Sequence, residues 1–361
     1  MIKKSLLVTT LFSSFLFGEV SLDKKIAQMY MLGFFGTSAT QNSKICKDIS
    51  KYDLGGVILF DVNPTNRKKA KNISSKSQVR TLTRELQECS PHHNLLISVD
   101  QEGGKVQRLK SKYGFYGKFP KAQDAIKLSR DDILGIYKKM ARELKSVGIN
   151  YNLAPVVDLD INPKNYVIHK LGRSFGKDPR VVAMYASEFI EAMNSYGVIT
   201  SLKHFPGHGS SLGDTHKGFV DVTNLWNSVE LEPYKRLKKR ADTVMVAHVY
   251  NKKLDSKYPA TLSKKVVNNL LRKQIGFDGV VITDDLQMGA ITSKYSLAHT
   301  IELAINAGDD ILLFGNQLDA RKIVNIKDLV AITKRLISEG RVKRSAIEKS
   351  YERIQRLKGK L

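Results

Sequence analysis

The stretch ITSLKHFPGHGSSLGDTHKG, residues 199–218, joins a short apolar segment to a polar loop that contains three histidines and four glycines. Its first residues are apolar or β-branched, as in a buried strand of a parallel sheet, and polar residues begin where the strand is expected to end. Reactive groups at the carboxyl end of a parallel strand are typical of the active sites of α/β barrels. The stretch therefore predicts a strand that leads directly into a functional loop.

The same unit, a short apolar run followed by an amphipathic stretch, recurs along the 361 residues. We predict strands over the ranges 29–36, 54–60, 95–100, 149–158, 199–207, 243–249, 279–285 and 309–315. Buried strands that alternate with helical patterns indicate a parallel sheet, and eight such units fit an α/β fold, the (β/α)8 TIM barrel, as a single domain. A doubly wound open sheet is the alternative. We expect residues 326–361 to form helices that close the barrel.

Residues 1–18 have the layout of a secretory signal peptide. Lys3 and Lys4 precede an apolar run from Ser5 to Phe17, which is short for a membrane span. We expect cleavage close to residue 18, which leaves residues 19–361 as a periplasmic or secreted protein without stable membrane insertion. An uncleaved anchor or a buried first strand is the alternative.

The chain contains two cysteines, Cys46 and Cys89. Both fall in segments predicted as successive outer helices, so a disulfide is feasible in an oxidising compartment. Two buried free thiols are the alternative, and the sequence alone does not decide between the two states.

The formal net charge is +24, from 59 Lys and Arg against 35 Asp and Glu. Such an excess favours polyanionic surroundings such as nucleic acid, anionic lipid or cell wall. The basic residues are spread along the whole chain, however, and no nucleic-acid-binding motif accompanies them. We therefore interpret most of them as solvated helix faces and expect no nucleic-acid partner.

Polar residues stand at the ends of five predicted strands. They are Asp100, Asp158 with Arg173 in the following loop, Lys203 with His204, His248, and Asp284 with Asp285. Because the carboxyl ends of barrel strands meet at one rim, these side chains should lie close together. One charge at such a position is often structural, but this number at one rim indicates an active site.

His204 and His208 are four residues apart, as in helical zinc motifs, but Pro206 and Gly207 lie between them and prevent a helix. The segment GHGSSLG lacks the Gly-Lys-Ser/Thr of a phosphate-binding loop. These observations disfavour a helical zinc site and a phosphate cradle. A metal-dependent barrel hydrolase with Asp284 and mixed His ligands stays open as an alternative.

Asp214 and His216 are two residues apart, so an extended loop would direct both side chains to the same side. A carboxylate in that position orients an imidazole and stabilises its charged form. We therefore predict His216 as a general acid/base, with Asp284 on the opposite part of the rim as a carboxylate nucleophile. A nucleophile and an acid/base are the two groups that a retaining glycosidase needs.

Taken together, these motifs resemble glycoside hydrolase family 3, in its single-domain β-N-acetylglucosaminidase (β-hexosaminidase) branch of the peptidoglycan-recycling type. The similarity extends over essentially the whole mature chain, through DKKIAQMYMLGFFG, GGVILF, SVDQEGGKVQRL, NLAPVVDLD, GRSFGKDPR, SLKHFPGHG and GFDGVVITDDLQMGAI. KHFPGHG followed by Asp-x-His is the most specific of these motifs. The resemblance implies a retaining exo-enzyme that removes non-reducing terminal N-acetylglucosamine from peptidoglycan fragments through a covalent glycosyl-aspartate intermediate, without cofactor or metal.

The resemblance also implies roles for individual residues. Asp284 corresponds to the nucleophile, His216 to the acid/base, and Asp214 to its orienting partner. Asp285 suits the nucleophile's role equally well by chemistry, and only the motif favours Asp284. The residues that would bind the hydroxyls and the amide side of the sugar are Asp100, Arg108, Arg173, Lys203 and His204.

Three further polar residues receive structural interpretations. We expect loop or core roles for His208 and His248. Asp158 is interpreted as an anchor for an Arg or Lys side chain rather than as a reacting group.

The chain differs in one respect from the branch that it resembles. Many members of this branch act in the cytoplasm, whereas this sequence begins with a predicted signal peptide. We therefore expect wall glycan or released fragments as substrate, and a monomer. A histidine acid/base does not repel an incoming anion, so phosphorolysis stays open beside hydrolysis. β-Glucosidase specificity and an inactive cell-wall-binding barrel are the remaining alternatives.

Overall fold

The computed structural model describes residues 20–361, so the predicted signal peptide, residues 1–18, lies outside the described residues. Eight parallel strands form one sheet: β1 Tyr30–Gly33, β2 Gly56–Ile58, β3 Leu96–Val99, β4 Tyr151–Asn152, β5 Ile199–Phe205, β6 Thr243–Val246, β7 Val280–Thr283 and β8 Leu312–Phe314. They pair in the order β7-β6-β5-β4-β3-β2-β1-β8. A parallel bridge between Ile282 and Ile311 joins the two ends of this sheet. The predicted (β/α)8 barrel is confirmed.

Every predicted strand range contains an observed strand, but the observed strands are shorter. The largest difference is at β4, where 149–158 was expected and only Tyr151–Asn152 pairs with its neighbours as a strand. Pro155 lacks the backbone N–H that a continued ladder needs. The chain stays beside β5, since the Ala154 carbonyl accepts the Ser201 N–H at 2.9 Å and Val156 forms an isolated bridge with Lys203.

The helices of the described residues surround this sheet. They are α1 Leu22–Gln28, α2 Lys44–Tyr52, α3 Lys76–Cys89, α4 Ala122–Ala125, α5 Arg130–Ser146, α6 Pro179–Asn194, α7 Glu232–Leu237, α8 Gly289–Thr292, α9 Leu297–Ala307, α10 Ile326–Ser338 and α11 Arg344–Lys358, with π-helical segments at Tyr166–Lys170 and Lys265–Ile275. Ser43, Ser75 and Ser129 begin three of the helices by accepting a backbone N–H with the side-chain oxygen. None of the helices within residues 20–361 combines the length and apolarity needed to span a bilayer.

The last two helices, α10 and α11, are hydrogen-bonded to the first elements of the chain, α1 and β1. Gln28 Oε1, in α1, accepts hydrogen bonds from Gln355 Nε2 at 3.0 Å and from Lys358 Nζ at 2.8 Å, both in α11. The buried Tyr30 hydroxyl in β1 lies 2.6 Å from Thr333 Oγ1 in α10. Residues 326–361 are thus largely helical, as predicted, and they pack where β1 begins.

Two small pairings add to the loops at the rim. Gln101–Gly103 pairs antiparallel with Val106–Gln107, directly after β3. Val220–Asp221 pairs in parallel with Val249–Tyr250, which links the loop after β5 to the loop after β6. These pairings position the segments that carry the polar residues described below.

Cys46 in α2 and Cys89 in α3 form a disulfide, with their Cα atoms 5.2 Å apart. The structure therefore selects the bonded state that the sequence left open. Both residues are buried, so the bond links the facing sides of two outer helices.

Replacing both cysteines by serine should lower the free energy of unfolding by about 2–4 kcal/mol, because the bond closes a loop of 43 residues in the unfolded chain. Urea unfolding of the double variant beside the oxidised protein measures this difference. Reduced protein of the unaltered sequence serves as the control and should unfold close to the double variant. Equal stability of the oxidised protein and the double variant would contradict the expectation.

Candidate active site

A cavity of about 690 Å³ opens at the carboxyl ends of the barrel strands, and we call it the catalytic cavity. Its lining includes all of the site residues that the sequence predicted: Asp100, Arg108, Arg173, Lys203, His204, Asp214, His216 and Asp284. Asp100 directly follows β3, and Asp284 directly follows β7. Convergence of polar groups in a cavity of this size is typical of a small-molecule site.

One wall of the catalytic cavity is a row of alternating charges. The Lys203 ammonium pairs with Asp100 Oδ1 at 3.0 Å and with Glu102 Oε1 at 2.7 Å. Arg173 donates two hydrogen bonds of 2.8 Å to the carboxylate of Glu102, and Arg108 Nη2 lies 3.1 Å from Asp100 Oδ2. We call these five residues the charged wall. Their mutual bonds hold several donors and acceptors at fixed positions.

The pKa values of Glu102, Asp100 and Lys203 all shift towards the charged form. Burial by itself raises the pKa of Glu102, but the cations of Arg173 and Lys203 outweigh it and lower this pKa to about 2. For Asp100, burial again acts upward, and Lys203 and Arg108 hold its pKa below the ordinary value. Lys203 itself is only 3% exposed, yet its two carboxylate neighbours outweigh burial and raise its pKa.

The sequence analysis did not assign Glu102. A usable signal was present, since Asp100 and Glu102 are two residues apart in the segment that continues from β3. Side chains two apart in an extended chain point to the same side, so a functional Asp100 implies the same orientation for Glu102. The charge of Glu102 is what allows two cations, Lys203 and Arg173, to approach each other.

Lys203 and His204 are consecutive in β5, and both side chains reach the catalytic cavity. Successive residues of a regular strand point to opposite sides. The pairing of β5 with β6 shifts in register between Leu202 and Phe205. An irregularity of this kind redirects one side chain, and it accounts for the presence of both residues in the cavity.

Asp158 orients His204. Its Oδ2 lies 2.7 Å from His204 Nδ1, and Oδ1 accepts the backbone N–H of His208 at 2.8 Å. Within residues 20–361 no Arg or Lys side chain is hydrogen-bonded to Asp158, so the prediction that it anchors one of them is wrong. Its partners lie in β5 and in the loop that follows it, and they are within reach because β4 and β5 are adjacent in the barrel.

His208 and His248 are buried and have separate partners. His208 Nδ1 lies 2.7 Å from Ser211 Oγ, and burial lowers the His208 pKa to about 4. His248 Nε2 lies 2.9 Å from the carbonyl oxygen of Asp285, and burial lowers its pKa as well. In the described part of the chain, no group of three or more His, Cys, Asp or Glu side chains is arranged to hold a metal ion.

Asp284 and Asp285 are consecutive but have different surroundings. Asp285 Oδ1 accepts the backbone N–H groups of Gln287 and Gly315, and burial raises the Asp285 pKa to about 6. Asp284 Oδ1 accepts the N–H of Asp285 at 2.8 Å. Burial acts to raise the Asp284 pKa, but nearby histidines, His248 first among them, outweigh it and lower the pKa. Both aspartates line the cavity, but the surroundings favour the charged form of Asp284 and disfavour that of Asp285.

His216 and Asp214 form a hydrogen-bonded pair on the loop that follows β5. Asp214 Oδ1 lies 2.8 Å from His216 Nδ1 and also accepts the His216 backbone N–H at 3.0 Å. The pairing was predicted for an extended loop, but the structure shows a turn, closed by the bond from the Lys217 N–H to the Asp214 carbonyl. Aspartate side chains commonly bond to the backbone two residues on, which favours this turn. The His216 side chain is 57% exposed.

The family model of the glycosyl hydrolase family 3 N-terminal domain matches residues 21–357. The chain belongs to glycosyl hydrolase family 3. Among curated relatives, it is 32% identical to β-hexosaminidase A of Pseudoalteromonas piscicida over 87% of this chain and 54% of that protein. It is 36% identical to β-hexosaminidase LpqI of Mycobacterium tuberculosis over 73% of this chain and 68% of that protein.

Solved structures of similar enzymes have the same fold. The β-N-acetylhexosaminidase of Beutenbergia cavernae is 28% identical, with a TM-score of 0.82 over 94% of this chain and 99% of that one. The family 3 β-N-acetylglucosaminidase of a Paenibacillus species is 31% identical, with a TM-score of 0.83 over 94% of this chain and 62% of that one. This chain therefore spans about half to two thirds of the length of some relatives and nearly all of others.

The first part of the loop after β5, residues 206–210, is the stem of that loop and is hydrogen-bonded to Glu230. The sequence analysis did not assign Glu230. Glu230 Oε2 accepts the backbone N–H groups of Gly209 at 2.9 Å and Ser210 at 3.3 Å. A Cβ atom at Gly207 would lie 2.5 Å from the Glu230 Cβ, so the loop passes directly over this side chain. No residue pattern marks an acid whose partners are backbone amides, and burial raises its pKa to about 7.

Glu230→Gln should remove part of the pH dependence of stability. A glutamate in the unfolded chain titrates near pH ~4.3. Because folding raises the pKa of Glu230 to about 7, its contribution to stability is fully present below that unfolded value and is lost as the pH rises through the folded one. Between about pH 5 and pH 8 we expect a loss of about 2–3 kcal/mol, measured by urea unfolding, that is absent in Glu230→Gln.

Glu232→Gln is the matched control, because Glu232 is a partly exposed acid of the same segment whose partner is Lys235. It should retain the pH dependence of the unaltered protein. Identical pH dependence in both variants would show that Glu230 does not titrate in this range.

Proposed function

We propose that this protein is a retaining exo-β-N-acetylglucosaminidase that acts on the non-reducing ends of peptidoglycan fragments. The observation that carries the proposal is the catalytic cavity itself, where the ionised Asp284 and the hydrogen-bonded Asp214–His216 pair line the same space. The names of the relatives, β-hexosaminidase and β-N-acetylglucosaminidase, support the sugar specificity.

The first step of the proposed reaction is attack by Asp284. A carboxylate oxygen of Asp284 forms a bond to the anomeric carbon from the α face while the bond to the leaving oxygen breaks. Protonated His216 donates its Nε2 proton to that oxygen, and the aglycone departs as an alcohol. The product is an α-glycosyl ester of Asp284, and His216 is left neutral.

The second step returns both residues to their initial states. Neutral His216 accepts a proton from water as the water oxygen attacks the anomeric carbon from the β face. The ester bond breaks, and Asp284 leaves as a carboxylate. The Asp214 carboxylate stabilises the imidazolium that exists before the first step and after the second. Two inversions give net retention of configuration.

The charged wall is suited to a sugar ring. Carboxylates of Asp100 and Glu102 can accept hydroxyl protons, while Arg108, Arg173 and Lys203 donate. These groups are already bonded to one another, so binding requires little reorganisation. We propose that the sugar at the non-reducing end binds against this wall, which lines the catalytic cavity together with Asp284 and His216.

We also propose that the protein is exported. The signal-peptide pattern of residues 1–18, the disulfide between Cys46 and Cys89 and the net charge of +24 support a location beside an anionic wall polymer.

The test of the proposed activity is hydrolysis of an aryl β-N-acetylglucosaminide beside the matching β-glucoside. Activity on the acetamido sugar, and little on the glucoside, is expected. Analysis of the products in phosphate buffer distinguishes hydrolysis from phosphorolysis, since the latter gives the sugar 1-phosphate. A folded protein that cleaves neither substrate would refute the proposal.

Asp284→Ala should lower kcat by about 1000-fold or more, because no nucleophile replaces the carboxylate. Azide can occupy the space left by the removed side chain and attack from the α face. With an activated aryl substrate, azide should therefore restore turnover and produce the α-glycosyl azide, identified by NMR. Asp285→Ala is the matched comparison, and formation of the α-azide by that variant rather than by Asp284→Ala would reassign the nucleophile.

The loss of kcat/KM in His216→Ala should depend on how readily the leaving group of the substrate departs without a proton. Cleavage of a disaccharide needs a proton on the leaving oxygen, and we expect its kcat/KM to fall by about 100-fold to 10,000-fold. A nitrophenolate departs without protonation, so the kcat/KM of the nitrophenyl glycoside should fall far less. Asp214→Asn keeps the imidazole but weakens its orientation. Its kcat/KM for the disaccharide should therefore lie between the values of the unaltered protein and of His216→Ala. Equal losses for both substrates in His216→Ala would contradict an acid/base role.

A further inference from the structure

Exposed cations are concentrated in the loops that follow three neighbouring strands of the barrel, β2, β3 and β4. These loops cover residues 59–74, 100–120 and 153–177. Six of their exposed cations, which we call the basic rim, are Arg67, Lys68, Lys69, Lys105, Lys164 and Lys170. None of the six forms an ion pair with any residue in the range 20–361.

The acids of the same three loops do not neutralise the basic rim, because each is already bonded to another Lys, Arg or His side chain. They are Asp61, Asp100, Glu102, Asp158 and Asp160. All five are buried or half-buried, so none of them contributes an exposed negative charge. The surface that these loops present to solvent therefore carries charge of one sign.

The outer helices have a different charge pattern. Several of their exposed cations pair with an acid one turn away, as in Lys44–Asp48 of α2, Arg84–Glu88 of α3 and Arg344–Glu348 of α11. The interpretation of the basic residues as solvated helix faces thus fits these helices. It does not account for the basic rim, which lies on loops and has no acids of its own.

The basic rim borders the catalytic cavity. Arg67 lines that cavity, and so does Tyr166, which lies between Lys164 and Lys170 in the chain. Charges of one sign around a cleft focus the electric field and raise the local concentration of ions of the opposite sign. An anionic molecule is therefore attracted to the end of the barrel at which the cavity opens.

The loop that carries residues 67–69 is anchored at both of its ends. Val62 and Ala70 form an antiparallel bridge across the base of the loop. The next residue, Lys71, is buried, and its Nζ donates hydrogen bonds to the carbonyl oxygens of Gly315 at 3.0 Å and Asn316 at 2.6 Å. Three adjacent cations of the basic rim are thus presented to solvent by a segment that is fixed to the barrel.

We propose that the basic rim is a docking surface for an anionic glycan polymer, which it holds while a chain end of that polymer occupies the catalytic cavity. Because the cations belong to three loops, a polymer with repeated carboxylates can pair with several of them at once, and linked contacts of this kind reinforce one another. A small fragment with a single carboxylate cannot do so. A phospholipid bilayer is also anionic, but it offers no sugar chain end to the cavity.

Peptidoglycan, whose peptide stems carry carboxylates along the strand, has the chemistry that the basic rim would bind. The choice of this polymer rests on the proposed function. The binding itself does not require turnover, so it can be measured separately from the activity.

Co-sedimentation with purified peptidoglycan sacculi tests the docking, with the Asp284→Ala protein so that the polymer stays uncut. Binding should weaken steeply as NaCl rises from about 0.01 M to about 1 M, because the Debye length falls from about 30 Å to about 3 Å. Amidation of the sacculus carboxylates should remove most of the binding. Binding that is insensitive both to salt and to amidation would contradict the proposal.

The decisive variant removes four cations of the basic rim and leaves Arg67 in place. It is Lys68→Gln/Lys69→Gln/Lys164→Gln/Lys170→Gln, and it should bind sacculi about tenfold more weakly. With Asp284 present, its kcat/KM for an aryl β-N-acetylglucosaminide should change less than about twofold, because that substrate is neutral.

The matched control removes the same charge from exposed positions outside the three loops. It is Lys138→Gln/Lys239→Gln/Lys273→Gln/Lys349→Gln. Because these residues lie away from the basic rim, the control should bind sacculi as strongly as the protein without these four substitutions.

The outcomes separate the docking surface from the proposed function. Weaker binding in the rim variant alone would establish the docking surface, and equal binding by the two quadruple variants would overturn it. Retention on phosphatidylglycerol vesicles but not on sacculi would assign the basic rim to a membrane and also overturn the proposal. Failure of the unaltered protein to cleave the aryl substrate would refute the proposed activity, and the binding measurement would still decide the docking.

Discussion

The ammonium of Lys203 is the group on which the arrangement of the site depends. It is almost completely removed from water, and an unpaired charge in that position costs several kcal/mol. Asp100 and Glu102 offset this cost, and Glu102 in turn requires Arg173. The segment after β3, the loop after β4 and β5 itself are thereby held together by one set of bonds. Donors and acceptors for a sugar are in place before any substrate arrives, because the protein's own charges already position them.

Asp284 and Asp285 are of the same residue type, but their surroundings give them different hydrogen bonds and opposite pKa shifts. Both are aspartates at the end of β7, and the sequence alone cannot rank them by chemistry. Asp285 is occupied by two backbone N–H groups and helps to fix the start of the loop after β8 through Gly315. Asp284 has histidine neighbours that stabilise its negative charge. A nucleophile must be ionised, and the opposite shifts of the two pKa values, lowered for Asp284 and raised for Asp285, distinguish the two residues.

The sequence predicted the barrel well because the relevant signals are local. Apolar runs mark the strands, and amphipathic stretches between them mark the helices. It also predicted which strand ends contribute polar side chains to the catalytic cavity. It failed where the partner is a backbone group or a distant side chain. Glu230 bonds to the amides of Gly209 and Ser210, which have no signature in residue type. Asp158 was paired with the wrong partner for the same reason, since only the adjacency of β4 and β5 brings it to His204.

The placement of the two reacting groups follows from how their charges change during the proposed cycle. Asp284 is ionised until it forms a covalent bond, so a sheltered position between fixed groups stabilises the state that reacts. His216 gains and loses a proton in every turnover, and a fully buried imidazole such as His208 would resist protonation, as its lowered pKa shows. The His216 ring instead lies on a turn, 57% exposed and bonded through Nδ1 to Asp214. The nucleophile therefore belongs at the end of a strand and the acid/base on a loop, and the stem of that loop must be fixed, which is what Glu230 does.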